Sequence, residues 1–91
     1  LLYSLKIMNR KQRIDKILSK KFNNFMLEII DNSNLHKGHN NFTGNDETHI
    51  KIILTNKNKR PTNRLNIHKL INNLLTDEFK RGLHSLEIKI N

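Results

Sequence analysis

The chain has 91 residues and no cysteine, and its 17 Lys and Arg against 8 Asp and Glu give a formal net charge of +9. This length fits one domain with a modest core, and the lack of cysteine excludes disulfides, a thiolate nucleophile and thiolate-ligated zinc. The basic balance favours an acidic partner such as nucleic acid or an acidic protein, while no apolar run approaches the ~20 residues of a membrane span.

The first half of the chain predicts a helix, two strands and a long loop between them. Residues 1–8 are assigned to an N-terminal extension, and the domain begins at residue 9. A helix is predicted from Asn9 to Phe22, because Ile14, Ile17, Leu18 and Phe22 fall on one face. Residues 25–31 alternate in strand fashion, residues 32–46 are rich in Asn, Gly and Ser and predict a loop, and residues 47–55 predict a second strand.

The second half predicts a polar link, a helix and a last strand. Residues 56–64 carry the only proline and form the link. The following helix begins after a cap at Thr62 or Asn63 and ends at Gly82. Its buried stripe consists of Ile67, Leu70, Ile71, Leu74 and Leu75. Residues 84–90 predict a third strand with Leu86, Ile88 and Ile90 facing inward.

The element order is therefore αββαβ, a single α+β domain with a three-stranded mixed sheet and both helices on one face. A helix joins the last two strands, so these should run parallel and begin at the same sheet edge. The loop with His36 and His39 leads into that edge, where His49 and His84 also lie. Strand alternation, however, places His84 with Leu86 and Ile88 while His49 faces away from Ile50, so these two imidazoles need not point together.

No enzymatic function is expected. Asp46 and Glu47 are adjacent on a strand and face opposite ways, which makes them a poor acid–base pair. The chain also contains no P-loop, HExxH or GxGxxG motif.

The segments "HKGH", "ETHIKI", "IHKLINNLL" and "GLHSLEI", taken in order, resemble the BolA family across about residues 9–90. The resemblance implies a fold similar to class II KH domains and pairing with a monothiol glutaredoxin in a heterodimer, the protein being a monomer when alone. In such pairs a 2Fe–2S cluster is held jointly by glutaredoxin and glutathione thiolates and by BolA side chains, and no cluster is held by the BolA protein alone.

Two positions match the family's cluster ligands. His84 matches the histidine at the start of the last strand, and His39 matches the loop ligand, with His36 as its alternative because the loop is longer than in relatives. Two imidazoles on one iron of a 2Fe–2S centre are chemically coherent. Ordinary surface histidines are the competing interpretation. His49 is interpreted as a neighbour of the ligand site.

The resemblance is weaker around the basic turn. Where the family has a Phe-x-Gly turn, this chain reads Lys59-Arg60-Pro61, and His68 lacks flanking arginines. A runner-up function is nucleic-acid-binding transcriptional regulation, although the chain has no GxxG loop of the KH type. A solvated basic turn is the simpler interpretation, and partner docking is a third. The candidate contact residues are Lys57, Lys59, Arg60, Arg64, His68 and Lys69.

The sequence thus predicts an adaptor in iron–sulfur trafficking or in iron and redox regulation. Its expected location is the bacterial cytoplasm, or a mitochondrion or another organelle in a eukaryote. Delivery, sensing and transcriptional control are left open.

Overall fold

The first helix is fixed at its start by side chains of its own first turn. In the computed structural model, which describes residues 8–33, 48–58 and 61–91, α1 spans Arg10–Lys21. The Asn9 side chain accepts a hydrogen bond from the Gln12 amide at 2.8 Å, and the Gln12 side chain accepts one from the Asn9 amide at 3.0 Å. This reciprocal capping box satisfies two amides that have no partner inside the helix, so the predicted helix is confirmed to within one residue at each end.

Three strands form one mixed sheet, as predicted. Strand β1 (Phe25–Asp31) pairs antiparallel with β2 (His49–Asn56), and β2 pairs parallel with β3 (Ser85–Ile90). The order is β1-β2-β3, with β2 in the centre. Ile52 lies opposite Ile29 on one side and Ile88 on the other, so the strand alternation predicted from the sequence brings apolar residues from all three strands onto one face.

The connection between β2 and β3 differs from the single predicted helix. It consists of α2 (Arg64–Leu74), capped by the Asn63 side chain, and α3 (Thr76–Lys80), with a break at Leu75. The Thr76 hydroxyl donates a hydrogen bond to the Asn73 carbonyl at 2.8 Å. In a continuous α-helix the Asn73 carbonyl would accept its hydrogen bond from the Asp77 amide, four residues later. Leu75 itself is fully buried, so its side chain belongs to the core at the point where the two helices meet.

The core lies between this sheet face and the helices. It combines one stripe from each long helix with alternate residues of the strands. Its fully or nearly fully buried members are Ile14, Leu18, Phe22, Ile29, Ile50, Ile52, Leu54, Ile71, Leu75 and Leu83. The other sheet face carries Glu28, Glu87 and Lys89, which are exposed, so the expectation that the helices cover one face only is confirmed.

A buried ion cluster ties α3 to α1. The Glu78 carboxylate, 4% exposed, accepts hydrogen bonds from Arg10 Nε at 3.0 Å, Arg13 Nε at 2.7 Å and Arg13 Nη2 at 2.8 Å. Hydrogen bonds from Arg13 are the main reason why the pKa of Glu78 lies below its ordinary value, and those from Arg10 add to the effect against the opposing influence of burial. No local pattern in the sequence indicates this contact, because its partners are more than sixty residues apart.

Two further expectations concern the N-terminal extension and membrane-spanning helices. The predicted N-terminal extension, residues 1–8, falls almost entirely outside the described residues, so its boundary stays a prediction. Across the ranges that are described, no helix has the length and apolar character needed to cross a membrane.

Candidate metal site at the sheet edge

The parallel pairing of β2 and β3 places the start of both strands at one edge of the sheet. His49 is the register partner of Ser85. The Thr48 carbonyl accepts hydrogen bonds from two successive amides, His84 at 2.8 Å and Ser85 at 3.1 Å. One carbonyl thus anchors the backbone that carries His84 to the backbone that carries His49, although the two residues are 35 positions apart.

The side chains of His49 and His84 meet at this edge. Their ring centroids are 6.0 Å apart and the ring planes make an angle of 81°, an edge-to-face contact. Strand alternation gave no reason to expect this contact, since it left open whether the two imidazoles point together. Alternation does not apply to His84, because β3 begins at Ser85 and His84 precedes the regular strand.

Thr48 also contacts the His49 ring. Its Oγ1 lies 2.9 Å from His49 Nδ1, and which of the two groups donates the proton depends on the imidazole tautomer. Either way the contact restrains the orientation of the His49 ring. Thr48 was not among the predicted site residues, although it directly precedes a candidate histidine in the sequence.

The two imidazoles differ in access to solvent. His84 is exposed, whereas His49 is half-buried. Neutral imidazole suits zinc, copper, nickel and iron. Within the described ranges no group of three or more His, Cys, Asp or Glu side chains converges, so a complete ligand set at this edge needs donors from outside them.

The remaining ligand candidates belong to a segment that the structure does not describe. His36 and His39 lie within residues 34–47, outside the described ranges. Their assignment as the loop ligand and its alternative stays a prediction. The described residues on either side of the segment are Ser33 and Thr48, and the Asn32 amide donates to the His49 carbonyl at 2.7 Å. The segment therefore leaves and rejoins the described fold next to His49.

The candidate nucleic-acid residues lie elsewhere on the fold. Lys57 follows β2, and Arg64 and Lys69 lie on α2; all three are exposed. His68 is half-buried on the same helix. Lys59 and Arg60 fall outside the described residues, so the shape of the basic turn between Lys57 and α2 stays a prediction.

Comparison with known proteins gives the family of this fold. The family model described as BolA-like protein matches residues 5–91. The chain belongs to the BolA family. Among solved structures, BolA1 from Arabidopsis thaliana superposes with a TM-score of 0.73 at 32% identity, with 92% of both chains covered. The BolA domain of SufE1 from the same plant gives 0.72 at 33% identity over 93% of both chains.

Relatives by sequence come from bacteria, plants and fungi. Protein BOLA1, chloroplastic, from Arabidopsis thaliana is 36% identical, with 90% of this chain but 52% of that protein covered. The UV-induced protein uvi31 of Schizosaccharomyces pombe is 32% identical over 89% of this chain and 82% of its own length. An uncharacterized protein from the cobS 5′ region of a Sinorhizobium species is also 32% identical, with 90% and 89% covered. BolA domains thus occur in bacterial and in organellar proteins.

Proposed function

We propose that this BolA-family protein is a non-enzymatic adaptor that binds a monothiol glutaredoxin and shares a 2Fe–2S cluster with it. The observation that carries the proposal is the exposed His84 imidazole at the sheet edge, held in place through its backbone and in ring contact with His49. An exposed, anchored imidazole is accessible to a metal centre presented by a second protein.

The donor set of the chain fits a shared cluster better than one held alone. The sequence contains no cysteine, and iron–sulfur clusters are normally held by thiolates, with two histidines replacing two cysteines on one iron in some centres. In this proposal His84 supplies one imidazole and His39, or alternatively His36, supplies the other. Glutaredoxin and glutathione supply the sulfur ligands.

His49 has a supporting role in this proposal. Its ring contacts that of His84 edge-on, and its own orientation is fixed by Thr48. Partners of this kind fix the orientation of a ligand and typically change metal affinity or activity by ~10–100-fold when they are removed.

The direct test is reconstitution. The protein is mixed with a monothiol glutaredoxin, iron, sulfide and glutathione, and visible absorption and circular dichroism are compared with those of glutaredoxin alone. We expect a changed cluster spectrum and a 1:1 complex in size-exclusion chromatography. A spectrum that equals that of glutaredoxin alone, with no complex, would contradict the proposal.

A pair of variants then assigns the ligand. His84→Ala should change the cluster spectrum of the complex, whereas His68→Ala, a half-buried histidine on α2, should not. Because His84 is exposed, its replacement should alter the free energy of unfolding of the protein alone by less than about 0.5 kcal/mol. Identical cluster spectra for the two variants would remove His84 from the site.

A second candidate is nucleic-acid binding through the surface of α2. The supporting observation is that Lys57, Arg64 and Lys69 are exposed in a chain of net charge +9. Contacts of this type neutralise phosphates without reading sequence, so binding would weaken steeply with salt. Lys57 follows the end of β2 opposite to His49, and none of these three residues is a proposed cluster ligand, so the two functions can be tested with separate variants.

The proposed compartment follows the family's distribution. A bacterial cytoplasm, or a mitochondrion or another organelle, is consistent with relatives named as chloroplastic and with a bacterial relative. The reconstitution above uses purified components, so its outcome does not depend on the compartment.

A further inference from the structure

The last strand lies at an edge of the sheet and pairs on one side only. Among the described strands β3 is bonded to β2 alone. Asn91, directly after β3, bonds to β2 through both its amide, at 2.8 Å, and its carbonyl, at 3.1 Å. The backbone groups of successive strand residues point alternately to the two sides of the strand, so residues 87 and 89 also face β2. The residues whose backbone groups point to the free edge are therefore Leu86, Ile88 and Ile90.

The apolar layer of the sheet continues to this edge. Leu86 and Ile88 are the register partners of Ile50 and Ile52, which are 2% and 0% exposed. Leu86 and Ile88 are themselves only half-buried, and no further described strand flanks them on the free side. A strand added at this edge would remove more of their apolar surface from water, which favours association.

The outer face of β3 carries one residue of each charge. Glu87 is 64% exposed, and its carboxylate lies 3.9 Å from the Lys51 ammonium group. Lys89 is exposed. Glu87 and Lys89 stand on either side of Ile88, so a two-fold rotation about Ile88 brings Glu87 of one copy opposite Lys89 of a second copy, twice over. Opposite charges that face each other across two strands stabilise the pair, and like charges destabilise it.

The same two-fold axis also matches the backbone groups. An antiparallel pair centred on Ile88 joins Ile88 to its own copy and Leu86 to Ile90 of the second copy. These are the residues whose backbone groups point to the free edge, so they can form about six hydrogen bonds between the copies. An axis through Glu87 or Lys89 would place like charges opposite each other, and an axis through Leu86 or Ile90 would separate Glu87 from Lys89. Only the axis through Ile88 satisfies the charges and the backbone together.

The free edge of β1 has no such match. The strand reads FMLEIID and contains the acidic residues Glu28 and Asp31 but no basic residue. No antiparallel pairing of β1 with its own copy can therefore bring opposite charges together. Charged residues on an edge strand commonly prevent pairing between molecules, and β1 follows that pattern, whereas the charges of β3 are complementary to themselves.

We propose that β3 pairs with the β3 strand of a second copy of this chain, antiparallel about Ile88, so that two three-stranded sheets become one continuous sheet. The net charge of +9 repels the two copies, so the dimer is weak and depends on protein concentration. This state differs from the monomer that the family resemblance implies. The pairing does not include His84, so its failure and the failure of the glutaredoxin proposal are separate results.

The first test measures the mass of the full chain in solution by analytical ultracentrifugation. One pair of strands buries less than the ~1,200 Å² of a standard interface, so association is expected between about 10 µM and 1 mM. A chelator in the buffer prevents histidines from bridging two copies through a metal ion. We expect the mass to rise from that of one chain to that of two. A mass that stays at one chain throughout this range would overturn the proposal.

Charge reversal then assigns the interface. Glu87→Lys and Lys89→Glu each place like charges opposite each other on both sides of the axis, so each should weaken self-association by roughly 10-fold or more. Mixed in equal amounts, the two variants should associate again, because lysines of one chain then face glutamates of the other. Glu28→Lys and Lys20→Glu are the matched controls, since both residues are exposed and the net charge changes equally. They should associate like the unmodified protein. Association that the β3 variants retain, or that mixing does not restore, would overturn the proposal.

Amide exchange followed by NMR locates the new hydrogen bonds. The amides of Leu86 and Ile88 should exchange more slowly as the protein concentration is raised. Leu27 and Ile29 provide the comparison, because the Asn32 amide bonds to β2 and by alternation their amides point away from it. Their exchange should not change with concentration. Exchange at Leu86 and Ile88 that is equally independent of concentration, in samples that contain the dimer, would place the contact elsewhere and overturn the proposal. Far-UV circular dichroism checks that each variant is folded.

Discussion

Replacing the Glu78 carboxylate tests how the last helix is held against the first. In Glu78→Gln the side chain keeps its shape but loses its charge, so Arg10 and Arg13 face a neutral amide. The Glu78 side chain is 5% exposed, and the two arginine side chains are 11% and 21% exposed. The cluster is therefore largely removed from water, and the substitution removes the charged group that both guanidinium groups contact.

The expected loss of stability follows from this burial. Removing one partner of a buried ion pair costs ~3–5 kcal/mol. Since the guanidinium groups keep some solvent contact, we expect the lower end, about 3 kcal/mol. A domain of this size has a total stability of only about 5–14 kcal/mol, so the variant should be folded but clearly weakened.

The assay is urea unfolding followed by far-UV circular dichroism. With a urea m value of about 1–1.5 kcal/mol/M, a loss of ~3 kcal/mol lowers the midpoint by about 2–3 M. The matched control is Glu87→Gln. Glu87 is also a glutamate paired with a basic residue, Lys51 at 3.9 Å, but its side chain is 64% exposed, and exposed pairs contribute ~0–1 kcal/mol.

The pH dependence gives the same prediction a second readout. The pKa of Glu78 in the folded protein lies below its ordinary value of 4.5. At a pH between the folded and the unfolded pKa of Glu78, the unfolded chain binds more protons than the folded one. The free energy of unfolding therefore falls as the pH is lowered through this range. The advantage of the unmodified protein over Glu78→Gln should be complete above pH 4.5 and should shrink as the pH falls through the folded pKa. Equal midpoints for Glu78→Gln and Glu87→Gln at neutral pH, or a gap that does not change in acid, would refute the reasoning.

Three further predictions use the same unfolding assay or a binding assay. Gly82 has φ +112°, and the atom nearest to an added Cβ is 3.7 Å away. Gly82→Ala should therefore lower the free energy of unfolding by about 1–3 kcal/mol through backbone strain rather than through a clash. An unchanged free energy of unfolding would contradict this. Asn9→Ala removes one half of the capping box and should cost about 1 kcal/mol, whereas replacing exposed Asn23 should change little. If Lys57, Arg64 and Lys69 contact duplex DNA, changing all three to Gln should weaken DNA binding. The plot of log K against log salt concentration should also become shallower, by about 0.9 for each phosphate that is no longer neutralised. An unchanged slope would exclude these residues from the interface.

Local patterns along the chain predicted most elements of the fold. The stripe of Ile14 and Leu18 and the alternation of Ile50 and Ile52 are properties of helix and strand periods, which depend on neighbouring residues alone. A helix between the last two strands implied their parallel pairing, since a crossover connection brings the chain back in the same direction. The family resemblance, carried by short motifs in order, agreed with this plan.

The sequence predictions failed at positions where a regular helix or strand is interrupted or begins. At the break at Leu75 the Thr76 hydroxyl donates to the Asn73 carbonyl and the leucine side chain is fully buried, and the apolar stripe of the sequence runs through this position without marking a break. The contact of His84 with His49 could not be derived from strand alternation, because the strand starts at Ser85, one residue later than predicted. A shift of one residue is within the uncertainty of element boundaries in sequence analysis, yet it decides on which side a side chain lies.

By itself, the sequence determined the α+β class with a three-stranded sheet and a helical connection between the last two strands, a basic net charge and the lack of thiolates, because periodicity, charge and composition are read directly from the chain. Only the tertiary structure decided which distant groups meet: Glu78 with Arg10 and Arg13, and His49 with His84 through Thr48. These contacts arise from strand register and from the packing of a short helix against α1, which depend on how the whole core packs and have no local signature.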